Sequence, residues 1–312
     1  MRWYKIICGN DTWDATGDPN ALNVELDIPV AYQDAPGGNA FARIWGIPLK
    51  TLLNARQYNH KTIQVFGGMQ QGLPLANPGQ AGLLCQGEVL PCLGNWVNTD
   101  MTLDFFFPIP VGSPTVNGEA NVVHNWPKNT QLSDSIKHAL QTAFPKYQVN
   151  VNISPNLVLN YDDIGFYQTL TQYAQYILSI SHNIVKTANY MGVRIDVHGN
   201  TINVSDGTQQ SPKAGEINFQ DLIGQPIWTG TNTVQFKTVM RADIHINDMV
   251  TLPKALATLT QGSLPGIGSS AASNIIQGQF RVQRIRHTGN FRQPDWPSWC
   301  TTFDVIQQGS GS

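Results

Sequence analysis

The stretch that decides the fold runs from Gly278 to Trp299 and reads GQFRVQRIRHTGNFRQPDWPSW. Phe280 and Val282 alternate with polar residues, which is the period of a β-strand with one buried face. The alternation slips by one residue at Ile285, which indicates a β-bulge. His287-Thr288-Gly289-Asn290 has the composition of a turn, so we expect the strand to end there.

The rest of this stretch predicts a closing corner. Pro294 and Pro297 disfavour a helix and keep the chain extended around Trp296. A last strand follows, with Phe303 and Val305 on one face. A strand, a glycine turn, a tryptophan-bearing connection and a final strand are together typical of the corner that closes a small β-barrel.

The composition points to a folded protein that avoids charge. A chain of 312 residues allows two or three domains. Charged residues make up 13% of it, about half of the usual share. This bias suits a protein that buries surface in an assembly, and also a secreted or virion β-protein. The net charge of −2 does not indicate a general polyanion or membrane partner. No apolar run reaches the ~18 residues of a membrane span, and the charged start MRWYKIICGN predicts a first strand instead of a signal peptide.

The predicted fold class is mainly β with an α+β insert. The predicted domains are a first β-barrel at 1–112, a small α+β domain at 113–206, a second β-barrel at 207–306 and a flexible tail at 307–312. Pro108, Pro110 and Pro114 form a stiff linker at the first boundary, and Ser211-Pro212 begins the second all-β segment. The layout suggests a duplicated barrel, although the two all-β segments do not visibly align.

Local patterns assign the main elements. The first segment has strand candidates at Trp3–Cys8, Val24–Val30, Ala40–Ile47, Thr62–Phe66, Gly82–Val89 and Met101–Phe107, with a short helix or irregular connection at Leu49–Arg56. The middle segment has a helix capped by Thr130 and ending near Phe144, a strand at Tyr147–Ile153, a second helix capped by Asp163, and a hairpin turning at His198-Gly199-Asn200. The last segment has strand candidates at Ile217–Ile223, Val234–Val239, Ala242–Ile246 and Met249–Leu252, and a mobile loop at Thr258–Ala272.

The motifs give little sign of catalysis or metal binding. Asp162-Asp163 is the one adjacent carboxylate pair, but a glycosidase needs two acids about 5–10 Å apart across a cleft. The histidines lack metal-site spacing, and Gly266–Ser270 lacks the lysine of a phosphate loop. Neither a cofactor nor an enzymatic activity is expected. The four cysteines predict free buried thiols, with a Cys85–Cys92 disulfide as the alternative.

One basic cluster is notable because charge is scarce elsewhere. Its members are Arg281, Arg284, Arg286, His287 and Arg292, with Phe291, Trp296 and Trp299 close by. A solvated strand face is one interpretation. A second interpretation is a subunit interface, in which the arginines pair with a neighbour's carboxylates or stack on aromatic rings. A third is a surface past which a nucleic acid moves. The interface candidates are Arg281, Arg284, Arg286, Arg292 and Trp296.

Most of the chain resembles the baseplate hub proteins of long-tailed bacteriophages, the Mu-like hub family. The order of several segments carries the resemblance. These are Phe41–Lys50 (FARIWGIPLK), Ile63–Gly68 with Gly82–Val89, Tyr190–Asp206 (YMGVRIDVHGNTINVSD), and Gly278–Trp299 followed by Phe303-Asp304-Val305.

The resemblance implies a structural virion protein in the tail baseplate, assembled in the host cytoplasm. It implies a homotrimer whose six barrels continue the hexameric tail tube and adapt it to a three-fold spike. The implied partners are the tube protein above, the central spike protein below, and possible tape measure, wedge or sheath-associated proteins. DNA would pass through the lumen without specific binding, and no membrane is involved.

Two other functions stay open from the residues alone. One is a tail-associated enzyme that degrades cell walls or carbohydrates, although no pair of convergent acids can be nominated. The other is a carbohydrate-binding tail module that uses Trp96, Trp126 or Trp228 as a sugar platform.

Overall fold

The computed structural model describes residues 1–32, 35–36, 38–70, 78–109, 121–187, 190, 192–208, 215–230, 232–256, 258–259 and 275–307. The chain separates into two compact units. Unit 1 comprises Met1–Val30, Gly38–Pro108 and Ala214–Ser312, and unit 2 comprises Ala31–Gly37 and Ile109–Lys213. Residues of the two predicted barrels therefore lie in one unit.

The fold is mainly β. Its strands are β1 Arg2–Cys8, β2 Asp11–Asp14, β3 Val24–Pro29, β4 Ala31–Tyr32, β5 Ala35–Pro36, β6 Gly38–Trp45, β7 Thr62–Met69, β8 Gly82–Glu88, β9 Cys92–Val97, β10 Asp100–Ile109, β11 Val122–Trp126, β12 Gln148–Asn152, β13 Asp163–Tyr167, β14 Arg194–His198, β15 Thr201–Ser205, β16 Gly215–Glu216, β17 Ile227–Trp228, β18 Thr233–Val239, β19 Met249–Leu256, β20 Thr258–Leu259, β21 Ile275–Asn290 and β22 Trp299–Gln307. The helices are α1 Leu49–Leu53, α2 Leu132–Ala143 and α3 Leu170–Ile184, with 3₁₀ turns at Ala55–Tyr58, Pro78–Gln80, Phe219–Asp221 and Trp296–Ser298.

One large sheet joins the two all-β segments of the chain. Its strand order is β20-β17-β18-β22-β21-β3-β6-β10-β9, with β19 also paired to β21 and β16 to β19. The link is the antiparallel pairing of β21 with β3, in which Arg286 lies opposite Pro29 and Asn290 opposite Glu25. The last strands of the chain thus complete a sheet that the first strands begin.

The long strand β21 corrects two expectations about the deciding stretch. The bulge is present, but it falls between Val282 and Arg284. His287–Asn290 is strand and not a turn, because β3 supplies hydrogen-bonding partners to this part of β21. Gly289 serves close packing there, since an added Cβ would lie 2.7 Å from the Trp299 ring.

The described sheets are open, whereas two closed barrels were expected. The path of the large sheet ends at β20 on one side and β9 on the other. A second sheet, β2-β1-β7-β8, packs against β10, where the Trp13 ring of β2 lies 5.8 Å from the Phe105 ring. Strands β8 and β10 lie close together at Gly87, where an added Cβ would lie 2.7 Å from the Phe107 ring. Alternate residues of β10, including Leu103, Phe105 and Phe107, are buried in this core as their spacing predicted.

The segment after β21 fastens the end of the chain to its beginning. The Trp299 indole N–H donates to the Gly68 carbonyl over 3.0 Å, and the ring is 1% exposed. The Arg2 guanidinium donates to backbone carbonyls of this segment, including that of Asn290 at 2.8 Å. Tyr4 meets the Phe291 ring edge-on at 4.9 Å. These contacts join residues of the first strands to residues that lie more than 200 positions later in the chain.

Unit 2 combines helices α2 and α3 with short strands. Strands β12, β15 and β14 form one sheet, and β11 pairs with β13. The β14–β15 hairpin and the strand at Gln148–Asn152 are confirmed. Helix α2 lies where the first helix of this domain was predicted, but its N-cap residue is Gln131, whereas Thr130 was predicted. Helices α2 and α3 contribute Ile136, Leu140, Tyr173 and Ile177, among others, to the buried core.

The second helix corrects the role of Asp163. This residue begins strand β13, and the helix cap is Thr169, whose hydroxyl accepts from the backbone N–H of Gln172. The strand ends where Gln168 and Thr169 lead into α3. The second predicted helix is therefore helical only from Leu170 onward.

Other predictions in the last segment were less accurate. The 217–223 stretch is not a strand and contains a short 3₁₀ turn at Phe219–Asp221, and 242–246 is not a strand either. Strands β18 and β19 are confirmed. Pro110, Pro114, Ser211, Pro212, residues 260–272 of the predicted mobile loop and residues 308–312 of the tail lie outside the described residues.

The four cysteines are free and buried, as the first interpretation expected, and Cys85 and Cys92 are not joined. Burial raises the pKa of Cys8 and Cys92 to about 12. Both thiols are therefore protonated at neutral pH and are poor nucleophiles.

We expect Trp299→Ala to lower the free energy of unfolding by about 3–5 kcal/mol, the usual range for removing a buried large aromatic residue. The loss of the hydrogen bond to the Gly68 carbonyl adds to the cavity. Trp299→Phe retains part of the packing and serves as the matched control. Denaturant unfolding measures both. An alanine variant within about 0.5 kcal/mol of wild type, the usual range for surface substitutions, contradicts this role.

Candidate functional site: the polar face of the joined sheet

Eight strands of the large sheet form two groups of four. The first half-sheet contains β3, β6, β10 and β9, and the second contains β17, β18, β22 and β21. One surface of these strands is buried and apolar, as the alternating burial of β3, β6, β18 and β22 requires. The opposite surface is the polar face, and it carries Glu25, Asp27, Arg43, Asn95, Asp104, Gln235, Lys237, Arg284, Arg286 and Asp304.

A carboxylate on the fourth strand organises the first half-sheet. Arg43 on β6 donates to Asp104 on β10 through Nε at 2.7 Å and Nη2 at 2.6 Å. Asn95 on β9 donates to the same carboxylate at 2.9 Å. Asp104 is buried, and its hydrogen bonds raise the pKa of Arg43. The carboxylate thereby connects three neighbouring strands.

The second half-sheet repeats this arrangement around Asp304. Gln235 on β18 donates to Asp304 at 2.8 Å, and Arg284 on β21 approaches it at 3.4 Å. Each carboxylate is thus held from the second and the third strand of its own half-sheet. The local sequences match once the two positions are aligned, as Thr102-Leu103-Asp104-Phe105 and Thr302-Phe303-Asp304-Val305.

The two half-sheets also repeat the same strand order in the same direction. From β9 to β3, the first half-sheet presents its third, fourth, second and first strands in chain order. From β21 to β17, the second half-sheet presents the same sequence of strands. The repeat is therefore head-to-tail, and a two-fold relation would have reversed the order.

An ion pair crosses the junction between the half-sheets. Arg286 on β21 donates to both carboxylate oxygens of Asp27 on β3, at 2.8 and 2.7 Å. This bidentate geometry raises the pKa of Arg286. Both side chains remain about half exposed. The pair therefore guides register more than it adds stability.

The structure distributes the predicted interface residues over different environments. Arg284 and Arg286 share the polar face, whereas Arg281 is 6% exposed and has little surface to offer a partner. Arg292 is exposed and its backbone N–H donates to Asn23, and Trp296 is 54% exposed on the 3₁₀ turn. His287 is buried against the Thr301 hydroxyl at 2.9 Å.

Sequence reasoning missed the acidic partners of these arginines. Asp27, Asp104 and Asp304 lie far from one another in the chain, and only the strand pairing brings each to its arginine. The signal that could have found them is the repeated Thr-apolar-Asp-apolar pattern at Thr102 and Thr302.

Two of the three proposed sugar platforms are not accessible. Trp126 is fully buried and Trp228 is 5% exposed, whereas Trp96 on β9 is 61% exposed. Leu93 and Val97 on the same strand are also exposed, at 48% and 64%. The outer edge of the first half-sheet is thus an apolar strand.

The second exposed apolar surface belongs to unit 2. Val123 on β11 and Phe166 on β13 are opposite each other and exposed at 57% and 60%. Ile164 on the same face is 75% exposed. Behind them His124 is fully buried, with its Nδ1 2.9 Å from the Tyr173 hydroxyl and its Nε2 3.7 Å from Asp163.

The acidic pair at the start of β13 does not form a paired-acid site in the described structure. Asp162 accepts the backbone N–H of Lys128 at 2.7 Å, and Asp163 accepts the Tyr176 hydroxyl. Within the described residues, no three His, Cys, Asp or Glu side chains are grouped as metal ligands would be. No helix among those residues is both long and apolar enough to cross a bilayer.

Comparison with solved structures gives the class of fold. The chain matches the 43 kDa tail protein of prophage MuSo2 from Shewanella oneidensis with a TM-score of 0.54 and 7% identity, covering 98% of each chain. It matches the tail protein from Neisseria meningitidis MC58 with a TM-score of 0.53 and 10% identity, covering 99% of this chain and 97% of the other. No family model matches the sequence, and no curated protein matches it. The chain therefore has the fold of phage tail proteins.

The two equivalent carboxylates differ in burial, so we expect their neutral variants to differ in stability. Asp104→Asn removes a charged partner from a buried bidentate pair, at a cost of about 1.5–3 kcal/mol for hydrogen bonds to a charged group. Asp304→Asn is the matched control on the more exposed copy of the arrangement, and it should cost less. Chemical denaturation measures both, and equal losses contradict the ranking.

We expect acid to destabilise unit 2 through His124. Burial lowers the pKa of this imidazole from 6.5 to about 4, although Asp163 opposes the shift. Because the unfolded chain binds the proton first, stability is present above pH 6.5 and falls as the pH drops towards 4. The expected loss between pH 7 and 5 is about 2 kcal/mol.

Unfolding of wild type and of His124→Gln at pH 7 and pH 5 measures this effect. The variant should lose less stability on acidification than wild type, because it lacks the titrating group. An identical pH dependence in the two proteins contradicts the assignment to His124.

Proposed function

We propose that this protein is a structural component of a phage tail, the baseplate hub that continues the tail tube and adapts it to the spike. The head-to-tail repeat of two half-sheets within one chain carries the proposal. The fold shared with two tail proteins supports the tail assignment. The hub position, the homotrimer and the location in the virion baseplate go beyond that similarity.

The repeat matters because a head-to-tail relation propagates. Elements related in this way form a ring when the rotation between them closes. If the rotation is about one sixth of a turn, three chains with two half-sheets each give six nearly equivalent positions. Such a ring matches a six-fold tube through its half-sheets and a three-fold spike through its chains. The number three comes from the resemblance to hub proteins.

The proposed ring also accounts for the open edges of the sheet. The outer edge of β9 has no partner strand among the described residues, and an edge of this kind invites pairing with another strand. The β3–β21 junction satisfies one such pair of edges within the chain. We propose that the barrel expected of each segment is instead a single barrel formed by all the half-sheets of the ring.

The polar face suits a lumen through which DNA passes. Arginines are available on this face, but Arg43, Arg284 and Arg286 each lie against a carboxylate of the same chain. Phosphates would have to compete with these carboxylates for every arginine. A face of this kind favours passage of DNA without specific binding. The proposed protein partners are the tube protein above, the spike protein below, and tape measure, wedge or sheath-associated proteins.

Cross-linking mass spectrometry of purified tails tests the hub assignment. We expect this chain to cross-link to the tube protein from one side of the ring and to the spike protein from the other. Cross-links confined to fibre or receptor-binding components, or absence of the chain from the particles, contradict the proposal.

The alternative of a tail-associated hydrolase is tested separately. We expect the pure protein to leave cell-wall suspensions at constant turbidity and to release no sugar from glycans. Hydrolysis that disappears when Asp162 or Asp163 is replaced by Asn favours the enzyme, provided that the variants keep their fold.

A further inference from the structure

We propose that unit 2 contains a binding site for ferric iron, with His124, Asp163, Tyr167 and Tyr176 as its ligands. The site lies between the paired strands β11 and β13 and helix α3, all of which belong to unit 2. The inference goes beyond the proposed function and does not depend on it, because the site uses no residue of the joined sheet.

The backbone of the two strands places three of these groups on one face. Alternation along β13 brings Asp163, Gly165 and Tyr167 to the same face of the strand. His124 on β11 lies directly opposite Gly165 and therefore shares that face. Gly165 leaves room there, since an added Cβ would lie 2.6 Å from the Tyr167 hydroxyl. The phenol of Tyr167 thus folds back across the strand, onto the face that carries His124.

Helix α3 brings the fourth group to this face. The Tyr176 hydroxyl donates to Oδ2 of Asp163. The Tyr176 ring lies 4.9 Å from the Tyr167 ring, with the two planes inclined by 31°. The hydroxyls of Tyr167 and Tyr176 are also hydrogen-bonded to each other. Two phenols and one carboxylate therefore converge beside His124.

The imidazole of His124 has one nitrogen that the protein leaves unsatisfied. The side chain is fully buried, and Nδ1 lies 2.9 Å from the Tyr173 hydroxyl. Nε2 is buried too, and it has no hydrogen-bond partner among the described residues, although buried polar atoms usually have one. It faces Oδ2 of Asp163 at 3.7 Å, which is too long for a hydrogen bond. If Nδ1–H donates to Tyr173, Nε2 offers a lone pair, which is the tautomer that metal-bound histidines adopt.

The separation of His124 and Asp163 suits a shared metal ion. An ion about 2.1 Å from each atom, the usual length for imidazole and carboxylate ligands, would make an angle of about 120° across the 3.7 Å gap. The same carboxylate oxygen accepts the Tyr176 hydroxyl. The ion would therefore replace the proton of that hydrogen bond.

The charges of the four groups favour a trivalent ion. One carboxylate and two phenolates carry three negative charges, and the imidazole is neutral, so their complex with ferric iron has no net charge. A divalent ion would leave the site charged, either negatively with both phenolates or positively with both neutral phenols. An uncompensated charge is costly in a partly buried site. The set also lacks thiolates, the ligands that soft metal ions prefer.

A trivalent ion is also needed to displace the phenolic protons. Burial raises the pKa of Tyr167 to about 12, and burial together with the hydrogen bond to Asp163 raises the pKa of Tyr176. Both phenols are therefore protonated at neutral pH in the metal-free protein. A bound cation reverses this preference, and its attraction for a phenolate grows with its charge. Binding thus exchanges the two phenolic protons for one ferric ion.

The site is open on one side. His124 is fully buried, but the side chain of Asp163 is 20% exposed and both phenols are half-buried. An ion can therefore approach from the side of Asp163 and reach the imidazole last. Among the described residues, no third His, Cys, Asp or Glu joins His124 and Asp163. The tyrosines therefore have to complete the ligand set.

Titration of the full-length metal-free protein with ferric nitrilotriacetate tests the site. We expect one bound iron per chain and a phenolate-to-iron charge-transfer band in the visible spectrum, which carboxylate and imidazole ligands alone do not produce. Zinc should bind more weakly than ferric iron and leave the tyrosine absorption unchanged. Absence of the visible band, or zinc bound as tightly as ferric iron, overturns the proposal.

Tyrosine variants assign the band to this cluster. Tyr167→Phe and Tyr176→Phe keep the rings but remove one phenolate each, so each should weaken iron binding by at least about tenfold. The double variant should lose the band. Tyr147→Phe, at a half-buried tyrosine that packs on Phe144 in the same unit, is the matched control and should keep both affinity and band. A band that persists in the double variant indicates an adventitious ion only and overturns the assignment.

Two further measurements keep the test independent of those variants. Tyr173→Phe removes the group that orients His124 but leaves all four ligands, so iron binding should weaken about 10–100-fold while the band remains. Gallium, a trivalent ion without redox chemistry, should displace iron from the wild-type protein and raise its thermal unfolding temperature. Loss of the band in Tyr173→Phe, or gallium that neither competes nor stabilises, contradicts the inference.

Discussion

The pairing of β3 with β21 is the constraint on which unit 1 depends. It joins strands that lie more than two hundred residues apart, and it turns two half-sheets into one. Pairing at such a sequence separation closes a long loop, so it must be supported by packing. Trp299 and the contacts of Arg2 supply that support by fastening the end of the chain to its beginning.

A head-to-tail junction inside one chain has a consequence for assembly. It leaves β9, the third strand of the first half-sheet, at one end of the described sheet, whereas at the other end β20 pairs with β17, the first strand of the second half-sheet. Charge is used sparingly and in specific places. Asp104 and Asp304 each connect strands within one half-sheet. The Arg286–Asp27 ion pair connects the two half-sheets. The low content of charged residues extends to β9, an edge strand of the described sheet that carries no charged residue.

The sequence predicted what local periodicity can determine. Strands β1, β7, β8, β18 and β22 were found near their expected positions, because alternation is read within a few residues. The partner of each strand is not local information. The residues His287–Asn290 have turn composition, but they form a strand because β3 lies beside them. Asp163 is a residue type that often caps helices, but here it belongs to strand β13 because it pairs with β11. The acidic partners of the arginines were missed for the same reason.

The symmetry of the assembled protein tests the central claim most directly. Electron cryo-microscopy of the protein in its assembled state would resolve the rotation that relates the half-sheets. The account predicts a three-fold axis, with the half-sheets of each chain related to one another by nearly the same rotation as the half-sheets of neighbouring chains. An assembly with a two-fold axis through the sheet edges, or half-sheets whose relation differs within and between chains, would contradict it.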